Sequence, residues 1–220
     1  MTNELFKRVL SSIIILPIFI YIVLKGSFYF SILLIICFLI SVYEWQKMDV
    51  SKILKLFGIF FLIFSFYTIY EIRNGFRDSY WPFLIIIFIS VSTDIGGYIF
   101  GKILKGPKLT KLSPNKTYAG VLGGYTCSVI LYFTIIKINL VDKQYFINFL
   151  LFILLISSIS QFGDILVSYF KRLSKIKDTG KIIPGHGGLL DRIDGIIFAF
   201  PASYLIVLID YFNFFLWKKL

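Results

Sequence analysis

Long apolar blocks separated by charged loops restrict what this 220-residue chain can fold into. Most blocks hold about 16 to 20 residues, the length of helix that crosses ~30 Å of hydrocarbon. We therefore predict an all-α, polytopic membrane helical bundle of about seven transmembrane helices, with seven to nine as the range. The seven blocks are residues 9–24, 27–45, 53–70, 81–100, 118–136, 146–162 and 193–217.

The composition excludes an ordinary soluble, disordered or nucleic-acid-binding protein. Hydrophobic residues make up 58% of the chain and charged residues only 16%, against about 25% charged residues in a soluble domain. The net charge of +11 lies between the apolar blocks. We therefore interpret it as a signal for membrane topology and anionic substrates, with a lipid bilayer and no nucleic acid as partner.

Lysine and arginine are distributed unevenly between alternate loops. One set of loops carries 16 of the 23 basic residues and the other set carries 7. The positive-inside rule therefore predicts a multi-pass protein of the inner (cytoplasmic) membrane, with the N-terminus and loops 101–117 and 163–192 in the cytoplasm. The first block is expected to remain as a span, because no small-x-small cleavage site follows it.

The chain reads as a single membrane domain, residues 1–220, because it contains no repeat, linker or low-complexity segment. Polar residues are concentrated in one part of it. The N-terminal membrane helices within residues 1–80 carry few polar signals, whereas residues 90–195 hold nearly every unusual polar residue. The chemistry is therefore expected in the second half of the chain.

Asp94 lies inside an apolar block, where an ionisable side chain is costly and usually faces a cavity or a partner. Gly97 and Gly101 form a small-xxx-small pair, which is typical of closely packed helices. Packing and function remain equally open for the glycines. Packing alone does not require the carboxylate of Asp94, so a functional role is favoured there.

The loop after this block is basic and contains no acidic residue. Its end, Ser113-Pro114-Asn115-Lys116-Thr117, leads towards Gly120 at the start of the next block. The glycine and lysine order of a phosphate loop is absent. A basic turn at a helix start still suits phosphate oxygens, while positive-inside charge explains the lysines but not the Ser-Pro-x-Lys-Thr order.

The densest polar segment follows residue 160. Asp164, Ser168 and Lys171 are spaced i, i+4 and i+7, so a helix would place a carboxylate, a hydroxyl and an ammonium on one face. Asp191 and Asp194, at i and i+3, are expected to face the same way at the start of the final span.

These residue types indicate a magnesium and phosphate site. Mg²⁺ prefers carboxylate and phosphate oxygens, which Asp164, Asp191, Asp194 and a nucleotide would supply. The basic residues Lys116, Lys171 and Arg172 would neutralise phosphate. Zinc is disfavoured, because cysteine ligands are missing and the chain has one histidine. A structural role and a phosphate contact remain equally open for His186, which four glycines flank within a charged loop.

The pattern resembles the phosphatidate cytidylyltransferases, also called CDP-diacylglycerol synthases, over about residues 88–200. We place the catalytic region there. The motifs upstream are Asp94 with Gly97-Tyr98 and Phe100-Gly101, Ser113-Pro114-x-Lys116-Thr117-x-x-Gly120 and Gly163-Asp164. The longest part, here named the signature segment (residues 168–194), contains Ser168-Tyr169-Phe170-Lys171-Arg172, Lys177-Asp178-Thr179-Gly180, Pro184-Gly185-His186-Gly187-Gly188 and Leu190-Asp191-Arg192-Ile193-Asp194.

The resemblance implies a Mg²⁺-dependent reaction of phospholipid biosynthesis, in which CTP and phosphatidic acid give CDP-diacylglycerol and pyrophosphate at an active site that faces the cytoplasm. It implies Asp164 and Asp191 as the principal metal ligands, with Asp194 in support. Lys171 would act in catalysis with the two principal aspartates. The residues expected to bind substrate are Asp94, Ser113, Lys116, Thr117, Ser168, Arg172, His186, Gly187, Gly188 and Arg192.

Three other interpretations are weaker but stay open. An ion-coupled transporter predicts polar residues at mid-depth along several spans, whereas here they cluster at helix ends. A CDP-archaeol synthase or polyprenol kinase would share much of the pattern, although the Lys-Arg, His-Gly-Gly and Asp-Arg-x-Asp series favours a cytidylyltransferase. A scaffolding protein leaves the carboxylates and glycines unexplained. A monomer and a homodimer both remain open.

Overall fold

The structure, a computed structural model, describes residues 13, 16–75, 79–110, 116–180, 182 and 187–209. Within them the regular structure is helical apart from isolated β-bridge residues, among them the pair Lys108 and Thr117. The helices are α1 (Leu16–Lys25), α2 (Ser27–Gln46), α3 (Lys52–Asn74), α4 (Trp81–Leu104), α5 (Tyr118–Lys137), a 3₁₀ turn (Lys143–Tyr145), α6 (Phe146–Leu173), α7 (Leu190–Ile193) and α8 (Ile196–Ile209).

Five helices are long and apolar enough to cross a membrane, namely α2, α3, α4, α5 and the stretch from the 3₁₀ turn through α6. The prediction of an all-α, polytopic membrane fold is therefore confirmed for the described residues. The shorter helices α1 and α8 occupy the first and last apolar blocks. Because residues 1–12 and 210–220 lie outside the described residues, seven spans stay a prediction.

Helices extend beyond the apolar blocks into both long loops of the prediction. α4 continues to Leu104, and α6 runs unbroken to Leu173. The start of the last block is broken, because α7 ends at Ile193 and a turn at Asp194 and Gly195 precedes α8. Asp194 Oδ1 accepts the N–H of Gly195 at 2.9 Å, a local bond that competes with helical hydrogen bonding.

The described residues divide into two compact units. The first unit falls within Met1–Tyr80 and Phe170–Ile193, and the second within Trp81–Tyr169 and Asp194–Leu220. The predicted single domain, with N-terminal helices followed by a catalytic region, divides the chain by sequence position. It does not correspond to these two units and stays a prediction. Each unit is described by itself below.

In the first unit a buried arginine fixes the joint between α1 and α2. Arg73 Nε donates to the carbonyl oxygen of Val23 at 2.8 Å, and Arg73 Nη2 donates to the same oxygen. The guanidinium thus satisfies a carbonyl that the end of α1 leaves without a helical partner. Gly26 makes the turn with φ +63°, and a Cβ there would lie 2.9 Å from the guanidinium carbon, so glycine is required.

The joint between α2 and α3 is held by reciprocal contacts. Trp45 Nε1 donates to the carbonyl oxygen of Lys55 at 3.0 Å, and Lys55 Nζ donates to the carbonyl oxygen of Gln46 at 2.8 Å. The ring of Trp45 also packs edge-on against Phe170, with ring centroids 5.2 Å apart. These contacts fix the end of α2 against the beginning of the signature segment.

In the second unit α4 and α5 pack backbone to backbone. A Cβ on Gly96 would lie 2.7 Å from the carbonyl carbon of Gly123, and a Cβ on Gly101 would lie 3.2 Å from Thr117 Oγ1. A Cβ on Gly97 would lie 3.7 Å from the nearest atom, on α5. The packing interpretation of Gly97 and Gly101 is confirmed, and Gly96 makes the closest approach of the three.

A buried hydroxyl cluster joins α4, α5 and α6. Thr93 Oγ1 lies 2.9 Å from both Ser128 Oγ and Ser157 Oγ, and it donates to the carbonyl oxygen of Ile89 at 2.7 Å. Small residues with hydroxyl groups are typical glue between membrane helices. The cluster and the glycines together fix α4, which carries Asp94, α6, which carries Asp164, and α5, which begins two residues after Lys116.

Replacing Gly96 by alanine should lower the thermal unfolding temperature of the detergent-solubilised protein, because the new methyl group overlaps the backbone of α5. Overpacking of this kind costs about 1–3 kcal/mol. Gly97→Ala is the matched control, since its methyl group makes only an ordinary contact and alanine favours the helix. Equal unfolding temperatures for the two variants would contradict the packing described here.

Candidate functional site

An ion pair between Lys116 and Asp164 forms the centre of the second unit's polar cluster. Lys116 Nζ lies 2.5 Å from Asp164 Oδ2, and both side chains are partly exposed. Ser168 Oγ donates to Asp164 Oδ1 at 3.4 Å. Asp94 is close enough to interact electrostatically with Asp164 and with Lys116. Four predicted site residues from three parts of the chain are thus brought together.

Local structure explains why Lys116 reaches this position. Thr117 is the N-cap of α5, and its Oγ1 accepts the N–H of Gly120 at 3.0 Å. Lys116, just before it, pairs with an earlier part of the α4–α5 loop, since Leu109 N–H donates to the carbonyl oxygen of Lys116 at 2.8 Å. The Lys-Thr order predicted as a phosphate contact therefore also starts a helix, with the Thr117 hydroxyl engaged in the cap.

Asp194 lies beside the helix that carries Asp164. A Cβ on Gly163 would lie 2.9 Å from the carbonyl oxygen of Asp194, and a Cβ on Gly195 would lie 3.1 Å from the carbonyl oxygen of Ser160. The absence of side chains at both glycines lets the turn before α8 contact α6 directly. Asp194 itself is buried.

The first unit contains a second and more buried ion pair. Lys171 Nζ donates to Asp191 Oδ1 at 2.8 Å, and the exposed fractions of the two side chains are 11% and 6%. Asp191 Oδ2 accepts the backbone N–H groups of Thr179 at 2.8 Å and Gly188 at 3.1 Å. One carboxylate thus gathers α6, α7 and two loop positions of the signature segment.

Burial raises the pKa of Asp191, but the hydrogen bond from Lys171 and the backbone N–H of Thr179 outweigh it, so the pKa lies below the usual value for a carboxyl. The carboxylate is therefore ionised at neutral pH. Its stabilising contribution is present above the ordinary aspartate pKa of about 3.9 and is lost as the pH falls through the depressed value.

The remaining described residues of the signature segment have diverse roles. Gly187 adopts φ +92°, a backbone conformation that glycine allows, and its neighbour Gly188 donates its N–H to Asp191. Arg172 is exposed and its Nη1 donates to the carbonyl oxygen of Ile176 at 3.1 Å. Arg192 is exposed. Two predicted site residues, Ser113 and His186, lie outside the described residues.

Sequence reasoning missed Glu44 and Thr179. Glu44, near the end of α2, is 1% exposed and accepts hydrogen bonds from the signature segment. Thr179 is buried and donates to Asp191. A signal for Glu44 was available, because it is the one charged residue in block 27–45. The cost argument that singled out Asp94 applies to it equally.

The family model described as Cytidylyltransferase family matches residues 50–210. The chain belongs to the cytidylyltransferase family. It is 34% identical over 212 residues to the phosphatidate cytidylyltransferase of Rickettsia bellii, which covers 93% of this chain and 91% of the relative. It is also 36% identical over 203 residues to that of Rickettsia conorii, at 89% and 87% coverage. The corresponding protein of Staphylococcus haemolyticus is 29% identical over 257 residues, at 91% and 98% coverage.

The family match includes every residue of the two ion pairs but begins after Glu44. In this cytidylyltransferase the region that the family model matches is therefore bonded to α2, a helix that lies before that region. Among the described residues, Glu44 is the carboxylate that makes this connection.

The side chains fit a hard cation. Asp164 offers partly exposed carboxylate oxygens beside the second carboxylate of Asp94, and Asp191 Oδ1 accepts a single described donor. A carboxylate oxygen has two lone pairs, so this atom retains one. Among the described residues, no three acidic, histidine or cysteine side chains lie close enough together to hold a metal ion by themselves. Mg²⁺ commonly completes its shell with water and phosphate oxygens.

Asp191→Asn should lower the thermal unfolding temperature more than Asp164→Asn does, measured in detergent without nucleotide or Mg²⁺. The first change leaves the mostly buried Lys171 ammonium without its counter-charge, and breaking a buried pair costs about 3–5 kcal/mol. The second changes a partly exposed pair, which is worth about 0–1 kcal/mol. Similar shifts for the two variants would contradict the difference in burial.

Proposed function

We propose that this protein is a phosphatidate cytidylyltransferase, which forms CDP-diacylglycerol and pyrophosphate from CTP and phosphatidic acid. The observation that carries the proposal is the pairing of a lysine with an aspartate of the family's motifs in each unit, at Lys116 with Asp164 and at Lys171 with Asp191. Ammonium groups suit phosphate oxygens and carboxylates suit a hard cation. The relatives named phosphatidate cytidylyltransferase match nearly the whole chain, which supports the same reaction.

The chemistry requires charge neutralisation more than proton transfer. An oxygen of the lipid phosphate attacks the α-phosphorus of CTP, the bond between the α- and β-phosphates breaks, and pyrophosphate leaves. The attacking phosphate is ionised near neutral pH, so a strong general base is unnecessary. Lys116 and Lys171 would reduce the repulsion between the two anions and stabilise the charge that develops on the leaving group.

Mg²⁺ is the proposed cofactor, with Asp164 and Asp191 as its principal carboxylate ligands and Asp194 in support. When bound, Mg²⁺ supplies positive charge to the phosphate oxygens of CTP and to the leaving pyrophosphate. Ser168 is placed to orient Asp164 through its hydroxyl. Asp191 accepts hydrogen bonds from Lys171 Nζ and from the backbone N–H groups of Thr179 and Gly188. These three donors would hold its carboxylate in place before substrate binds.

The proposed location is the inner membrane, with the lysine-rich loops in the cytoplasm. Within the second unit, the Lys116–Asp164 pair puts the end of the α4–α5 loop beside α6. Within the first unit, Glu44 puts the end of α2 beside the signature segment. Both contacts agree with the grouping of loops that the lysine distribution predicts. Acyl chains would stay in lipid while the headgroup meets soluble CTP.

The decisive experiment uses purified protein in mixed micelles with phosphatidic acid, Mg²⁺ and CTP labelled at either the α- or the γ-phosphate. We expect the α-label to enter the lipid and the γ-label to leave in pyrophosphate. A CTP-dependent lipid kinase would transfer the γ-label to a polyprenol instead. Ion transport in proteoliposomes with no CTP turnover would support a transporter and overturn the proposal.

Asp164→Asn and Asp191→Asn should each abolish turnover while the protein remains inserted in the membrane, because a carbonyl oxygen replaces a charged ligand. Lys171→Ala should reduce turnover through weaker phosphate binding or transition-state stabilisation. Initial rates at low and at saturating CTP measure both effects. The control is Asp49→Asn, an exposed carboxylate in the α2–α3 loop. Normal activity of either aspartate variant would remove the metal assignment.

A further inference from the structure

Glu44 is a buried carboxylate that the proposed chemistry does not use. It lies in the last turn of α2 and is 1% exposed. Its Oε1 accepts the N–H of Leu189 at 2.9 Å, and its Oε2 accepts the N–H of Leu190 at 2.8 Å and the hydroxyl of Thr179 at 2.7 Å. These three donors are neutral groups of the signature segment.

A buried carboxylate is costly unless donors replace the water that it loses. The signature segment supplies such donors at the beginning of α7, where the N–H groups have no helical partner of their own. Glu44 and the start of α7 therefore satisfy each other. The two bonds are long-range, since the backbone donors lie 145 and 146 positions from Glu44 in the sequence.

Two glycines of the signature segment make room for Glu44. A Cβ on Gly180 would lie 2.6 Å from Glu44 Oε1, and a Cβ on Gly188 would lie 2.6 Å from Glu44 Oε2. Both distances are shorter than a non-bonded carbon–oxygen contact allows, so any side chain at either position would displace the carboxylate. The Thr-Gly and His-Gly-Gly elements of the motif thus contain a cradle for a residue of α2.

The cradle connects directly to Asp191. Thr179 Oγ1 lies 2.7 Å from Glu44 Oε2 and 3.1 Å from Asp191 Oδ2. A threonine hydroxyl has one proton, and the shorter distance places it on the Glu44 side. Glu44 therefore draws that proton away from Asp191, while the backbone N–H of Thr179 continues to hold Asp191 Oδ2.

We propose that Glu44 is a positioning residue for the reaction, which holds Thr179 and the start of α7 so that Asp191 keeps its carboxylate fixed and directs Oδ1 to Lys171. The inference rests on the proposed function. Glu44 touches no reacting group and acts through Thr179 and the backbone of Leu189 and Leu190. It extends the catalytic machinery to α2, outside the region that the family model matches.

The test compares Glu44→Gln with Glu44→Asp in the full-length protein. Glutamine has one acceptor oxygen for the positions that two carboxylate oxygens occupy, so its amide would oppose a backbone N–H. Residues that orient metal-ligating groups typically contribute about 10- to 100-fold in activity or metal affinity. We expect E44Q to lower kcat by about that factor and to raise the Mg²⁺ concentration for half-maximal activity, with KM for phosphatidic acid unchanged. E44D should recover part of the loss.

A second measurement is independent of activity. Amide hydrogen exchange of the Mg²⁺-free protein should become faster in E44Q for peptides that contain residues 187–193, because the N–H of either Leu189 or Leu190 loses its acceptor. The matched control is again Asp49→Asn. This change removes an exposed carboxylate that lies five positions after Glu44 in the sequence. Its exchange and kinetics should equal those of the wild type.

A pair of substitutions at Thr179 keeps the proposal testable where E44Q does not fold. Thr179→Val retains the backbone N–H that binds Asp191 but removes the shared hydroxyl, and it should lower kcat several-fold. Thr179→Ser retains the hydroxyl and should restore kcat to near the wild-type value. Equal activity of the valine and serine variants would overturn the role of the hydroxyl.

The outcomes separate this inference from the proposed function. A folded E44Q protein with wild-type kcat, Mg²⁺ dependence and exchange would overturn the positioning role while leaving the cytidylyltransferase activity in place. A wild-type protein that transfers no label from CTP to lipid would overturn the proposed function. The exchange comparison would then still decide whether Glu44 orders the segment that holds Asp191.

Discussion

Donors must replace water wherever a carboxylate is buried, and this constraint governs the signature segment. Asp191 and Glu44 are both removed from bulk solvent, and both obtain their hydrogen bonds from backbone N–H groups, Thr179 and, for Asp191, the Lys171 ammonium. Loop backbone that would otherwise need water thus becomes the partner of two acidic side chains. The conformation of the segment and the ionised state of Asp191 have one common cause.

The second unit meets a different constraint, since its apolar helices must pack closely enough to bring a few charged groups together. Glycines on facing helices allow backbone contact between α4 and α5, and the Thr93 hydroxyl cluster satisfies its own polar atoms inside the bundle. This rigid packing positions Lys116 against Asp164. The packing residues and the charged residues of the second unit are therefore close neighbours along the chain, and both fall within the region that the family model matches.

Local spacing was a good guide wherever one element carried the whole pattern. The helix through Asp164 and Ser168 and the positive φ of Gly187 follow from periodicity and from the steric freedom of glycine. The turn before the final helix could not be located from spacing, because it depends on a side chain–backbone bond at Asp194 and on the close contact of Gly195 with α6. Hydropathy indicates which segments are buried in lipid or protein, but it carries no signal for a turn between two helices.

The sequence by itself determined the all-helical membrane class and the residue types suited to phosphate and a hard cation, because both depend on composition, block length and short-range spacing. Only the tertiary structure decided which charges pair. Lys116 with Asp164 and Glu44 with Leu190 are joined across long stretches of chain, and their partners follow from how the helices pack. A charged residue inside an apolar block indicates from the sequence alone that some partner must exist. Which partner it is depends on the donors that the fold brings within hydrogen-bond distance.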